Sequence, residues 1–243
     1  MGIANKIIGR FQDKGLKEGA KSIAKSAASH VVDANREVIL LKLDLSNPKA
    51  HRKKKEIERY DFDIQPFDAS HFDPIAKMLR SSEPDRIDQI RMRLDDGTPG
   101  WVTYENGEVV AYVFYETNMP GRAPYPDLEW LGIELCDKEV YSFDSFIPPA
   151  LRGRGIPMFR ATYQALFESG FTHAYGYVWA WDTAPLWSYR VTGWQEFGRF
   201  TEHRVAGRFA IVGGVLYELE RFKRRRIVKI PFGERLHEFG PPT

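Results

Sequence analysis

The stretch of this 243-residue chain best suited to chemistry runs from Ser145 to Pro157 and reads Ser-Phe-Ile-Pro-Pro-Ala-Leu-Arg-Gly-Arg-Gly-Ile-Pro. It leaves an apolar segment, turns through Arg152-Gly153-Arg154-Gly155 and enters an amphipathic segment at Pro157. Backbone N–H groups at a helix start are unpaired and the helix dipole is positive there, so such a turn suits a phosphate or pyrophosphate. Arg152 and Arg154 reinforce the sign. The same residues would also make an ordinary tight turn with a basic, exposed rim. Neither glycine-rich nucleotide fingerprint applies, because there is no Gly-x-Gly-x-x-Gly and the Lys-Ser/Thr ending of a P-loop is missing.

Other reactive residue types are sparse. A single cysteine, Cys136, rules out an intrachain disulfide and a cysteine-based zinc site, fits a reducing compartment, and reads as a small core residue beside Leu135. The six histidines are scattered without metal-ligand spacing, so no metal is expected, and nothing supports Ser-His-Asp chemistry. Carboxylates stand just before the turn: Glu139 and Asp144, with Glu129 and Glu134 further upstream. Strand alternation puts Asp144 on the opposite face from Ser145, and the choice of face depends on where a bulge falls.

The elements that must position these residues follow from periodicity and turn chemistry. Ile3 to Val31 reads as a basic amphipathic helix with Lys6, Arg10, Lys14, Lys17, Lys21 and Lys25 largely between its apolar positions. That apolar face would pack on the domain or a second copy of the chain, or lie on an anionic membrane. Glu37–Leu45 predicts a strand, and Lys49–Arg59 an exposed, charged linker. A short strand through Phe62, Ile64 and Pro66 precedes a helix capped at Asp68-Ala69-Ser70 and a second helix entered at Glu83-Pro84. Asn106-Gly107 predicts a type I′ hairpin between Trp101–Glu105 and Glu108–Thr117. After the proline-rich loop Met119–Asp127 come strands at Trp130–Cys136 and Val140–Ile147, a helix with Pro157 at its first position, and a strand at Ala174–Ala180. A helix over Thr183–Thr192 capped by Asp182 and strands at Trp194–Arg204 and Ile211–Leu219 complete the pattern.

With 43% hydrophobic and 14% aromatic residues, the composition supports a packed core, and no run approaches the ~18 apolar residues of a membrane span. No secretory leader is read, so a cytoplasmic protein is expected. The charge is uneven. Residues 1–60 carry 14 Lys/Arg against 7 Asp/Glu and residues 221–243 carry 7 against 2, which leaves 14 against 24 between them. Basic ends flank an acidic middle; the ends either fold onto it or meet an anionic partner such as a membrane surface or nucleic acid.

From Tyr60 onward the order is strand, two helices, a hairpin leading to further strands, the phosphate-suited turn, helix, strand, helix and two strands. With its motifs, this order resembles the GNAT superfamily of acyl-CoA-dependent N-acyltransferases over about residues 60 to 220. Arg152-Gly153-Arg154-Gly155-Ile156-Pro157 is similar to the family's Arg/Gln-x-x-Gly-x-Gly/Ala, with proline in the last place. Asp182 to Trp194 is similar to Asn-x-x-Ala-x-x-x-Tyr-x-x-x-Gly-Phe, with Asp182 for Asn, Pro185 for Ala and Trp194 for Phe. Tyr104 to Tyr112 is similar to the family's Asn-Gly hairpin.

The resemblance implies an α/β (α+β) fold: a mixed, mostly antiparallel central sheet, helices on both faces, and fourth and fifth strands that splay apart. It implies three segments: a basic extension (1–59) with the amphipathic helix, an acyltransferase domain (60–220) and a basic tail (221–243). Acetyl-CoA or another acyl-CoA would be the cosubstrate and a primary amine the acceptor, with direct attack in a ternary complex. Pantetheine would pair with the main chain of Ser145, Phe146 and Ile147. Pyrophosphate would meet backbone donors from Gly153 through Gly155 and Ile156 to Pro157, with Arg152 and Arg154 as charge-assisted contacts and Asp182 beside the cofactor. Pro157 supplies no N–H, so one donor usual in the family is lost. Tyr189 falls where many relatives keep a tyrosine that protonates the departing thiolate, and Asp144 or Glu139 would be the base. The segments before residue 60 resemble those of relatives associated with bacterial surface polysaccharide, which points to an amino sugar or another cell-envelope precursor. The protein would then be cytoplasmic or peripheral to the inner membrane face. The competing reading is a non-catalytic GNAT-like module that binds acyl-CoA or a partner and is held by its basic ends to a membrane or nucleic acid. Nucleic acid is the less expected of these partners, and a homodimer through the N-terminal helix is the other assembly considered.

Overall fold

Val38, Ile39, Leu40, Leu41 and Leu43 are all buried, with only half-buried Lys42 among them, and so dense an apolar run suits a strand covered on both faces. It belongs to β1 (Val32–Asp44). The computed structural model describes residues 32–118, 125–205, 209–212, 215–219 and 224–229. The helix read over Ile3–Val31, the first part of the Met119–Asp127 loop and the tail beyond 229 lie outside those residues. The described residues fall into two compact units, Val38–Arg199 and a second that takes in 32–37 and the described residues from Phe200 to Lys229.

In the larger unit, β1 is followed by a 3-10 turn at Pro48–Ala50 and by α1 (Lys54–Arg59). Then come β2 (Phe62–Pro66), α2 (Phe72–Arg80), α3 (Ile87–Asp95), β3 (Gly100–Glu105) and β4 (Glu108–Thr117). The second half holds α4 (Pro126–Leu131), β5 (Glu139–Phe146), α5 (Gly155–Glu168), β6 (His173–Trp179), α6 (Thr183–Val191) and the start of β7 (Gln195–Val205). The strand order is β2-β3-β4-β5-β6-β1, with β7 beyond β1. Gly198 of β7 comes so close to Leu40 that a Cβ there would sit 3.4 Å from Leu40 Cδ1. From β2 through to β1 the pairs are antiparallel except β5–β6, which is parallel.

Side chains alternate across β4 and anchor both layers. Val113 and Tyr115 join the main core with Ile39, Leu41, Leu43, Ala174, Val178 and Trp194, and with Tyr163 and Leu166 of α5. Phe114 points the other way, beneath Arg93 of α3. The Asn106-Gly107 hairpin forms as expected, with φ of 52° and 78° that suit a type I′ turn. Helix α6 stops at Gly193, whose φ of 96° and tight approach to Asn47 both require glycine, since a Cβ there would lie 3.1 Å from Asn47 Nδ2.

The smaller unit is an antiparallel meander. The end of β7 pairs with β8 (Phe209–Val212), β8 with β9 (Val215–Leu219), and β9 with β10 (Arg224–Lys229), which carries a register shift between Arg226 and Val228. The single strand expected over Ile211–Leu219 is therefore two strands, with Gly213-Gly214 between them in sequence.

Four other expectations are corrected. No strand forms over Trp130–Cys136: its first two residues end helix α4, which stops at Gly132 in the left-handed conformation with Leu128 and Leu131 buried, and the rest is irregular. Lys49–Arg59 is largely exposed as read, but it is not a bare linker, since it holds the 3-10 turn and α1 and is anchored at two points. Ala50 is fully buried, and Glu56 in α1 accepts from Arg160 Nη1 of α5 at 2.5 Å. Helix α5 begins at Gly155, so Pro157 is its third residue rather than its first. Asp182 precedes α6 but makes no side-chain cap; the carboxylate does not reach the first-turn amides.

Candidate functional site

β5 and β6 are joined at only three positions: Glu139 with His173, Val140 with Ala174, and Tyr141 with Tyr175. Beyond Tyr141 the two strands part, so from Ser142 to Phe146 the main chain of β5 has no ladder partner on its β6 side among the described residues. Gly176 sits where they diverge: a Cβ there would lie 3.5 Å from Ser142 O and 3.6 Å from the Trp194 ring. Unpaired strand edges facing each other inside a sheet make a slot whose walls carry backbone donors and acceptors.

Just beyond the slot, Pro149–Arg154 winds as a 3-10 helix directly into α5, and no side chain caps the first turn of α5. Gly155 is buried against Ile147, where a Cβ would lie 3.4 Å from Ile147 Cδ1. Gly153 is exposed, with open space where a side chain would be. Strand end, turn and helix start therefore come together as the sequence implied. The two arginines do not act as a pair. Arg152 is exposed, whereas Arg154 turns back to the hairpin: its Nη1 donates to Glu105 at 2.5 Å and its guanidinium lies 5.9 Å from the Tyr60 ring.

A β-bulge distorts the β4–β5 ladder where Tyr112 pairs with Phe146 and Phe114 with Phe143. At the bulge is Asp144, with a φ of 46°, unusual for a residue other than glycine. Arg86 Nη1 donates to Asp144 Oδ1 at 2.6 Å, and Arg93 Nε lies 3.0 Å from Oδ2. Arg86 also pairs with Glu83. Aromatic rings surround the pair: Arg93 lies 4.6 Å from Phe143 and 5.2 Å from Phe114, and Arg86 lies 5.5 Å from Phe146. Asp144 is thus at the site, on the face toward α3. Glu139 is not: at the opposite end of β5 it accepts from the Cys136 amide (3.0 Å) and the Tyr175 hydroxyl (3.0 Å), beside Lys42 and His173. Burial alone would raise its pKa, but those bonds and charges carry it below the usual carboxylate range. That is the wrong direction for a base.

Tyr189, on α6, packs edge-on against Trp194 with ring centroids 5.1 Å apart. No hydrogen bond of its hydroxyl is formed with the described residues. Burial, then the Asp182 charge, pushes its pKa up to about 12. Cys136 is exposed rather than a core filler. Among the described residues no His/Cys/Asp/Glu cluster could hold a metal.

Sequence reasoning missed Arg86 and Arg93. The signal was there in part: Arg93 falls three residues after Ile90, on the buried stripe of α3, where an arginine needs a partner.

Tyrosines crowd this region, and several have raised pKa values. Burial is the leading cause for Tyr112, Tyr141 and Tyr163, and for Tyr125, pushed up to about 12. The unfolded chain would lose these protons near pH ~10 while the fold keeps them, so stability is full below about pH 10 and declines as pH rises above it. The melting temperature should fall steeply between about pH 10 and 12. A flat profile across that range would contradict this.

No protein-family model and no curated relative matches the chain. Solved structures do. One is a glucosamine N-acetyltransferase region, GCN5-related, in a fungal multi-domain GH3 β-N-acetylglucosaminidase: TM-score 0.53, 17% identity, 78% of this chain and 23% of that one. Another is a conserved protein of unknown function from Staphylococcus epidermidis: TM-score 0.50, 12% identity, 75% of this chain and 65% of that one. The chain therefore spans about a quarter of the first and somewhat under two thirds of the second.

Proposed function

We propose that this chain, which has the fold of the GCN5-related N-acetyltransferases, transfers an acyl group from an acyl-coenzyme A to a primary amine in a ternary complex. The observation that carries the reading is the parting of β5 and β6 after Tyr141, directly ahead of an uncapped helix start. A pantetheine arm is a chain of amides. The freed main chain around Ser145, Phe146 and Ile147 offers it backbone pairing in place of the missing strand. The turn from Gly153 through Ile156 lies where the pyrophosphate would follow, with exposed Arg152 as its cationic partner.

In the reaction the amine nitrogen attacks the thioester carbonyl, the C–S bond breaks and the amine loses a proton to water. The thiolate takes a proton or hydrogen bond from the Tyr189 hydroxyl. Asp144 is held by two arginines and Glu139 lies outside the slot, so neither is assigned as the base. An amino sugar is the acceptor class we favour. The sequence before residue 60 points that way, and the fungal neighbour is described as acting on glucosamine.

One specific observation favours a second reading, a binding module without turnover. Pro157 has no N–H to offer, and Arg154 is occupied by Glu105. Calorimetric titration with acetyl-CoA separates the outcomes. Binding at about micromolar Kd is expected, and no heat at about millimolar ligand would remove the transferase and leave only a module that binds a partner other than acyl-CoA. Thiol release on adding glucosamine or another amine supports the transferase, and binding without release across an amine panel supports the module.

A further inference from the structure

We propose that Arg86 and Arg93 are positioning residues that clamp the β5 bulge at Asp144 and so keep the slot between β5 and β6 open to pantetheine. The inference rests on the acyl-CoA reading above and assigns it residues that no motif marks.

The bulge is the point at which β5 changes register. Two residues, Asp144 and Ser145, stand between the β4-paired Phe143 and Phe146, where β4 has one. Without that extra residue, β5 would run on in register and its edge would meet β6 again beyond Tyr175. The bulge holds Asp144 in the left-handed region, a conformation that strains an L-residue even though aspartate tolerates it better than most. Something must hold it there.

The two arginines do so through the two oxygens of its carboxylate. Both come from one stretch, the 3-10 turn Pro84–Arg86 and helix α3, so they move together. Arg93 Nε forms an ion pair with Oδ2 at 3.0 Å, without hydrogen-bond geometry, and lies over Phe143, the residue before the bulge. Arg86 takes Oδ1 and lies near Phe146, the residue at its far side. Each guanidinium thus joins the bulge carboxylate to an aromatic ring of β5. Arg93, Asp144 and Tyr112 are all largely buried here, and charges this poorly hydrated hold geometry more tightly than an exposed pair would. Asp144 then anchors the bulge through its two ion pairs.

The clamp acts on the pantetheine wall and not on the pyrophosphate turn, and that difference makes it testable. Two ligands are compared by calorimetry: acetyl-CoA, and 3′-phospho-ADP, which keeps the nucleotide and pyrophosphate but has no pantetheine. In Arg93→Met, acetyl-CoA binding should weaken by about tenfold or more while 3′-phospho-ADP binding stays within about twofold. Arg86→Gln should show the same split to a smaller degree, since Glu83 and solvent already share that arginine. Arg93→Lys, which keeps the charge but not the planar fork, should recover part of the loss. Thermal unfolding of each variant checks that it folds; if Arg93→Met does not, Arg86→Gln and Arg93→Lys carry the comparison. Equal losses for the two ligands, or no loss for either, would overturn the clamp while leaving the acyl-CoA reading intact. Failure of the wild-type protein to bind either ligand would overturn both.

Discussion

Replacing Arg160 by methionine is expected to destabilise the fold by about 3–5 kcal/mol, read as a lower urea midpoint at unchanged m-value. Arg160 is 4% exposed and serves three partners: Glu56 Oε1 at 2.5 Å, the Lys49 carbonyl at 3.0 Å and the Val191 carbonyl at 3.4 Å. Methionine fills much of the same volume but leaves the Glu56 carboxylate buried with its cation gone. The cost comes from that stranded charge more than from the lost bonds. Removing both charges, as in Arg160→Met with Glu56→Leu, should therefore recover a large part of the loss, because well-packed apolar groups often replace a buried pair at little net cost. A single-variant loss under about 1 kcal/mol would mean that the pair is more hydrated than its burial implies. The effect reaches the site as well. Arg160 lies on α5, whose start faces the slot, and its Val191 partner is the last residue of α6, the helix that carries Tyr189. Milder variants should lower turnover before they unfold the protein.

Local chemistry was the legible part of this fold. Asn106-Gly107 announces its hairpin because only a few residues tolerate positive φ at both turn positions. The α2, α3, α5 and α6 helices show in the sequence through apolar spacing and their stops. The motif turn and the parting of the strands around it were legible through resemblance, since Arg152 and Gly155 stand at family positions. The misread segments are those whose fate is decided by distant partners. Lys49–Arg59 reads as a solvated charge run until Arg160, more than a hundred residues away, claims Glu56. Trp130–Cys136 has strand-like composition, but its first two residues belong to the end of a helix begun at Pro126 and stopped at Gly132, with Leu131 buried. The insertion of β1 beside β6 has no local signature beyond its apolar density.

The same division runs through the site. Asp144 was visible as a carboxylate near the turn, but the bulge that orients it is a matter of register with β4, and register is tertiary. Arg154 was read by its charge toward an anion, whereas Glu105 on the neighbouring hairpin holds it. A motif thus located the turn correctly and overstated what each of its side chains is free to do.

Tyr189→Phe is expected to lower kcat by about 10²-fold while acetyl-CoA affinity changes little. The magnitude follows from the proton balance. Burial pushes the Tyr189 pKa up to about 12. A free thiol titrates near 8.5, so complete transfer to a hydrated thiolate would be uphill by roughly 5 kcal/mol. The thiolate leaving within the slot is itself desolvated, which raises its affinity for a proton and narrows the gap. What remains is a hydrogen bond that strengthens as negative charge gathers on sulfur, and loss of one such donor in a water-poor site removes about 3 kcal/mol of transition-state stabilisation. Phenylalanine keeps the edge-on packing against Trp194, so the fold and the cofactor wall should be preserved. The raised pKa also fixes a sign: the tyrosine stays protonated throughout the assayable range, so it gives kcat no basic limb below about pH 10. Equal turnover by Tyr189→Phe and the wild-type protein, with the same amine and saturating acetyl-CoA, would take Tyr189 out of the chemistry and leave it a packing residue of α6.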